Sequence, residues 1–122
     1  MNKIVVTGGL GFIGSNLIDL LIKNGFFVLN IDKVSYASNF YNTLNFKNNK
    51  NYKYLKLNIN NKNKLIKIFV KYKPIGIFNL AAETHVDRSI DSPDQFINSN
   101  ILGTFNLLEA FKKYSKKNKK YK

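Results

Sequence analysis

The glycines Gly8, Gly11 and Gly14 form the stretch whose residue types and spacing most clearly indicate chemistry. They follow a short apolar run and precede a segment whose apolar residues recur at helical spacing. A strand, a glycine turn and a helix in this order are typical of dinucleotide binding. The turn bends at Gly8, the backbone can approach a pyrophosphate at Gly11, and the helix packs closely at Gly14. A glycine turn without a ligand is the alternative, and the flanking strand and helix favour phosphates at the positive end of the helix.

A carboxylate, Asp32, ends the next apolar run, about 20 residues beyond Gly14. At this position an acid can accept hydrogen bonds from the adenosine ribose and repel a 2′-phosphate, which predicts NAD rather than NADP. The neighbouring Lys33 weakens that discrimination. An ordinary solvated acid at a strand end is the alternative, and the upstream glycine turn favours the ribose contact.

A third stretch, residues 80–90, holds the only histidine and the only arginine of the chain. The small residues Ala81 and Ala82 would let a cofactor pass close over the end of the preceding strand. Without the upstream glycines, the same stretch would suggest no more than an ion pair between Asp87 and Arg88 at the entry to a helix. Together with those glycines, residues 80–90 indicate the second side of a ligand-binding site.

The elements that must position these residues alternate between strand and helix, which predicts an α/β fold with a Rossmann-like, doubly wound parallel sheet. We expect four βα units in strand order 3-2-1-4, with the ligand crevice between the glycine turn and residues 81–91. The predicted strands span 4–6, 27–31, 52–57 and 75–80, and the predicted helices span 15–23, 62–72 and 93–114. Residues 1–115 form one incomplete domain, and residues 116–122 form a solvated basic tail.

Two of these helices carry apolar residues that we expect to face the core. Asn60 or Asn61 is the predicted N-cap of the helix at 62–72. The expected core residues of that helix are Leu65, Ile66, Phe69 and Val70, and those of the last helix are Phe96, Ile97, Ile101, Leu107, Leu108 and Phe111.

Composition excludes several classes of function. The formal net charge is +13, but 19 of the 20 basic residues are lysine, so we expect no nucleic-acid partner, because nucleic-acid readers depend on arginine. The absence of cysteine and the single histidine predict neither disulfides nor a metal site. No apolar run reaches the length of a membrane span, and no signal peptide is apparent, so we expect a cytoplasmic protein and no membrane partner.

Residues 7–14, 32–37 and 80–90 together resemble the extended short-chain dehydrogenase/reductase family of nucleotide-sugar enzymes. The resemblance is particularly to the dTDP-glucose 4,6-dehydratases. Residues 96–97 and 100–104 extend it, so that it covers residues 2–114. It implies NAD as cofactor, a nucleotide sugar such as dTDP-glucose as substrate, and a homodimeric enzyme.

Carried over by position, the resemblance implies a set of cofactor contacts, of which Thr84 would also touch the sugar substrate. An aspartate of the family is replaced here by Asn58, whose amide can still bond adenine but carries no charge. The implied cofactor-binding residues are Gly8, Gly11, Phe12, Ile13, Gly14, Asp32, Lys33, Ser35, Asn58, Ile59, Leu80, Ala81, Ala82, Glu83, Thr84 and Ser99.

The family oxidises the sugar at C4 with NAD, eliminates water across C5–C6 and returns the hydride to C6. Its catalytic tyrosine, lysine and Thr-Asp-Glu residues follow a fifth strand, and we expect no catalytic residue among these 122. Tyr52 and Lys56 have the Tyr-x-x-x-Lys spacing but fall in a predicted strand, where they would lie about 13 Å apart. We therefore expect the NAD-binding N-terminal part of a dehydratase, inactive alone. A stand-alone NAD-binding or sensor module and a fragment of a related epimerase are the alternatives.

Overall fold

The computed structural model describes residues 1–34, 39–81 and 93–117. The strands are β1 (Lys3–Thr7), β2 (Phe27–Asp32), β3 (Tyr52–Lys56) and β4 (Gly76–Asn79). The helices are α1 (Phe12–Lys23), α2 (Lys62–Tyr72), α3 (Pro93–Ile97) and α4 (Gly103–Lys117), with a 3₁₀ turn at Phe40–Thr43 and a π turn at Asn98–Leu102 between α3 and α4.

The four strands form one parallel sheet in the order β3-β2-β1-β4, which confirms the predicted topology. Val5, in the middle of β1, pairs with Leu29 of β2 on one side and with Ile77 of β4 on the other. Since β1 lies inside the sheet, its apolar run is continuous, as expected for a strand covered on both faces. The carboxyl ends of all four strands meet at one edge, which is where α/β sheets bind ligands.

Helices cover both faces of the sheet, so the fold is doubly wound. On one face, Ile18 of α1 packs with Ile4 and Val6 of β1. On the other face, α2 and α4 pack against Val5 and the neighbouring strand β2. Alternate residues of β1 therefore supply the two hydrophobic cores, because successive side chains of a strand point to opposite faces.

Side-chain and backbone caps set the helix ends. The Asn61 side chain accepts a hydrogen bond from the Lys64 N–H over 3.3 Å, so Asn61 is the cap of α2. Helix α1 ends before Gly25, whose φ of +88° is the left-handed conformation that glycine adopts at little cost. In the part of the chain that the structure describes, no helix is long and apolar enough to cross a membrane.

The predicted core faces were partly wrong. Val70 is 54% exposed, and Ile97, Ile101 and Leu108 are exposed as well. Leu108 directly follows the buried Leu107 in α4, so it lies outside the face of that helix that packs in the core. Within α4 the buried residues are Leu107, Ala110 and Tyr114, and Phe111 is partly buried.

Helix α4 also continues to Lys117, past the predicted end at residue 114 and into the predicted tail. Residues 118–122, which make up most of that tail, lie outside the described residues.

Candidate functional site

The glycine turn between β1 and α1 is packed so tightly that three of its positions, Gly8, Gly9 and Gly14, admit no side chain. Gly8 has φ +71°, and a Cβ there would lie 2.6 Å from the Leu80 carbonyl oxygen. A Cβ on Gly14 would overlap the Gly8 carbonyl oxygen, which confirms that this glycine lets α1 approach the turn. Among the described residues, a Cβ at Gly11 would meet only that same oxygen, at 3.4 Å, an ordinary van der Waals distance. With respect to this part of the chain, Gly11 borders open space, as a phosphate cradle requires.

The backbone N–H groups of the turn divide into those that hold the turn and those at its outer end. The N–H groups of Gly8 and Gly11 donate within the protein, to Ile31 O over 3.0 Å and to Gly8 O over 3.2 Å. Phe12 and Ile13 begin helix α1, whose first N–H groups have no acceptor inside the helix. In the described part of the chain, neither of these two N–H groups has a hydrogen-bond acceptor. They form a donor pair at the positive end of the helix beside Gly11.

The side chains of Phe12 and Ile13 are 78% and 70% exposed, which is unusual for large apolar residues in a strand-to-helix turn. Their exposure leaves the helix start open to a ligand. The sequence-predicted pyrophosphate contacts thus lie together at one accessible corner of the sheet.

Asp32 is buried at the end of β2 and is tied to the turn. Its Oδ2 accepts from the Leu10 N–H over 3.1 Å, and its Oδ1 accepts from the Val34 N–H over 2.8 Å. Val34 has a φ of 65°, so the chain turns sharply after the acid. Lys33, between them, is exposed. These two hydrogen bonds hold the carboxylate beside the glycine turn, at the carboxyl end of β2.

Thr7 joins the end of β1 to the end of its neighbour β4, and sequence reasoning missed it. Its hydroxyl donates to the Asn79 side-chain oxygen over 2.6 Å and accepts from the N–H groups of Leu80 and Ala81, each over 3.1 Å. Asn79 in turn donates to the Thr104 hydroxyl over 3.2 Å. This network places the segment after β4 beside the glycine turn. A threonine directly before a glycine turn was the only signal in the sequence that could have indicated it.

The Asn58-Ile59 pair follows β3, and its two side chains point in different directions. Ile59 is 5% exposed and packs in the core with Leu65, so its side chain cannot reach a cofactor and only its backbone could. Asn58 is exposed, and its Oδ1 accepts from the Asn60 N–H over 3.0 Å. A surface cavity of about 600 Å³ is lined by Asn58, Asn60, Asn61, Lys62, Asn63 and Asn106.

Several predicted contacts fall outside the described residues, namely those at Ser35, Ala82, Glu83 and Thr84. Of Ser99 only the backbone is described, and it lies in the π turn.

Tyr52 and Lys56 lie on β3, as expected, and the Tyr52 hydroxyl accepts a hydrogen bond from the side-chain Nδ2 of Asn30 over 3.0 Å. Asn30 was not singled out from the sequence. Sequence reasoning treated it as one more asparagine in an asparagine-rich chain.

Comparison with known proteins shows to which family this chain belongs. A family model described as GDP-mannose 4,6 dehydratase matches residues 5–122. The chain belongs to the GDP-mannose 4,6 dehydratase family. Among curated relatives, it is 45% identical to the dTDP-glucose 4,6-dehydratase of Neisseria meningitidis, over 93% of this chain and 32% of the relative. It is 47% identical to the Haemophilus influenzae enzyme of the same name, over 93% of this chain and 34% of that protein.

Solved structures of the family agree with the fold. The dTDP-glucose 4,6-dehydratase of Bacillus anthracis, in complex with NAD, has a TM-score of 0.80 and 34% identity, over 93% of this chain and 34% of that one. The UDP-glucose 4-epimerase of Thermotoga maritima has a TM-score of 0.82 and 36% identity, over 92% of this chain and 34% of that one. The chain therefore spans about a third of the length of the proteins that it matches.

Proposed function

We propose that this chain binds NAD and is the cofactor-binding part of a nucleotide-sugar dehydratase that acts on dTDP-glucose. The donor pair of Phe12 and Ile13 carries the proposal. These two N–H groups lie at a helix start beside the open side of Gly11, and two backbone donors at a positive helix end suit a pyrophosphate. The curated relatives named dTDP-glucose 4,6-dehydratase and the NAD complex of the Bacillus anthracis enzyme support this proposal.

The residues present fit NAD along the carboxyl edge of the sheet. The pyrophosphate would lie at the Phe12 and Ile13 N–H groups, and the adenosine ribose at Asp32. The nicotinamide half would cross the end of β4 near Leu80 and Ala81, which the Thr7 hydroxyl holds in place. The exposed amide of Asn58 and the backbone of Ile59 would contact the adenine. Bound NAD supplies a hydride acceptor, and this chain's own residues bind and orient it.

We assign proton transfer and the elimination of water, a lyase reaction, to the portion of the relatives that this chain does not match. The matched portion is about a third of each relative. Tyr52 and Lys56 lie along a strand rather than one helical turn apart. From the resemblance we further propose that the complete enzyme is a cytoplasmic homodimer, with the sugar contact at Thr84.

Isothermal titration of the 122-residue chain with NAD and NADP tests cofactor binding. We expect binding of NAD and weaker binding of NADP, with circular dichroism confirming that the chain is folded. A folded chain that binds neither cofactor would overturn the proposal.

Complementation separates the enzyme part from a stand-alone NAD-binding module. The C-terminal portion of a related dehydratase, expressed separately and added to this chain, should raise its melting temperature and give turnover of dTDP-glucose. Each portion alone serves as the control and should be inactive. NAD binding with no gain in stability or turnover would favour the stand-alone module.

A further inference from the structure

We propose that Asn30 is a positioning residue for the cofactor pyrophosphate, because its side-chain amide holds the glycine turn in the conformation that aims the donor pair of Phe12 and Ile13. This inference rests on the proposed NAD binding. It assigns a task to a residue in the middle of β2 that touches no ligand itself.

The position of Asn30 is unusual for its residue type. It is 0% exposed, in an interior strand between Leu29 and Ile31, whereas asparagine is depleted in strands. A buried amide lowers stability unless its hydrogen bonds are made. Both are made here. Its Oδ1 accepts from the Gly9 N–H over 2.9 Å, and its Nδ2 donates to the Tyr52 hydroxyl over 3.0 Å.

These two partners determine which way the amide points. A backbone N–H can only donate, so the amide oxygen must face Gly9 and the amide nitrogen must face Tyr52. The Tyr52 ring is itself held edge-on against Phe46, with centroids 4.8 Å apart. The turn thus rests on a chain of contacts that runs from Phe46 through Tyr52 and Asn30 to Gly9.

The contact with Gly9 is close enough to control the turn. A Cβ on Gly9 would overlap Asn30 Oδ1 and Ile18 Cδ1, so the backbone of the turn lies directly on the amide and on helix α1. Two residues further along β2, on the same face, Asp32 accepts from the Leu10 N–H. Asn30 and Asp32 therefore hold two consecutive peptide groups, and the helix start at Phe12 follows immediately.

A neutral amide suits this place better than an acid. It accepts from Gly9 without adding a second negative charge beside Asp32 and near the proposed diphosphate. The amide thus fixes the turn while leaving its electrostatic field favourable to an anion.

Affinities for three ligands show whether Asn30 positions the phosphates or only supports the fold. NAD and ADP contain the diphosphate, and adenosine does not. In Asn30→Leu, a substitution of similar size, we expect affinity for NAD and for ADP to fall about tenfold, with adenosine affinity unchanged. The Gly9 amide should exchange with solvent faster, as measured by NMR. Tyr52→Phe, which keeps the Asn30 amide but removes its partner, should show the same pattern more weakly and serves if Asn30→Leu does not fold.

Tyr114→Phe is the matched control, because it removes another buried side-chain hydrogen bond, to Pro74 O over 3.1 Å, far from the turn. It should lower the melting temperature without changing the ratio of ADP to adenosine affinity. An equal loss of affinity for all three ligands in Asn30→Leu, or no loss of affinity for any of them, would overturn the inference. If the unaltered chain bound no NAD, the proposed function would fail. An unchanged rate of hydrogen exchange at the Gly9 amide in Asn30→Leu would separately refute the proposal that Asn30 holds the glycine turn.

Discussion

The backbone N–H of Leu10 donates a hydrogen bond to the buried carboxylate of Asp32 over 3.1 Å. The acid that we assign to the ribose is therefore also a support of the phosphate-binding turn. The Leu10 carbonyl is held as well, by the Asn39 N–H and the Asn42 side chain, each over 3.0 Å. The residue that we assign to the ribose and the turn that we assign to the pyrophosphate thus meet at the Leu10 N–H.

Replacing Asp32 separates its two tasks. Asp32→Ala should weaken NAD binding by about 1–3 kcal/mol, the cost of losing a hydrogen bond to a charged group, and should also lower stability. Asp32→Asn keeps an oxygen for the Leu10 N–H but loses the charge, so it should stay folded and discriminate less between NAD and NADP. Titration calorimetry of both variants measures this. Equal affinity of the unaltered chain for the two cofactors would refute the assignment of Asp32.

Two glycines of the turn should respond in opposite ways. Gly11→Val should abolish NAD binding and leave the circular-dichroism spectrum intact, because its side chain enters the open space that we assign to the pyrophosphate. Gly14→Ala should instead lower the melting temperature, because its Cβ would overlap backbone atoms of Gly8 and lie 2.8 Å from Gly9 Cα. Undiminished NAD affinity in Gly11→Val would show that the turn binds no phosphate.

Alkaline pH should destabilise the fold through Tyr52. Burial, followed by the charge of Asp32, raises the pKa of its hydroxyl above the ordinary 10.0, while the hydrogen bond from Asn30 acts in the opposite direction. The unfolded chain therefore loses this proton at lower pH than the folded chain, and the free energy of unfolding should fall as pH rises above about 10. Burial also raises the pKa of Tyr54.

Comparison with Tyr52→Phe isolates this effect from the titration of the many lysines. Denaturant unfolding between pH 8 and pH 11 should show a shallower alkaline loss of stability in the variant. Parallel curves for the two proteins would contradict the assignment.

An exposed apolar stripe on the last helical segment should cause self-association. Phe105 and Leu108, three residues apart in α4, are 57% and 64% exposed and lie on one side of that helix, and Ile101 in the preceding π turn is 59% exposed. The double substitution Phe105→Gln and Leu108→Lys should reduce concentration-dependent association in sedimentation velocity. Because both side chains are exposed, stability should change by no more than about 0.5 kcal/mol. Association that is unaltered in the double variant would show that the stripe is not the contact.

Glycine spacing and strand–helix alternation were enough to predict the strand order β3-β2-β1-β4 and the turn before α1. They narrowed the cap of α2 to Asn60 or Asn61, and the structure has Asn61. These features depend on local conformation and on patterns along the chain. A residue such as Gly25 adopts a left-handed φ at low energetic cost whatever surrounds it. The resemblance added Phe12 and Ile13, whose exposed backbone donors a pattern of glycines alone does not single out.

Only the tertiary structure decided which polar side chains support the site and which apolar ones are buried. Neither Asn30 nor Thr7 stands out in the sequence. Asn30 supports the turn because β2 places its side chain against Gly9, and Thr7 holds the segment after β4 because β4 pairs with β1. Leu108 is exposed because the face of α4 that packs in the core is the one that carries Leu107, Ala110 and Tyr114. Contacts between residues distant in sequence are set by packing, and packing is not encoded in any one segment.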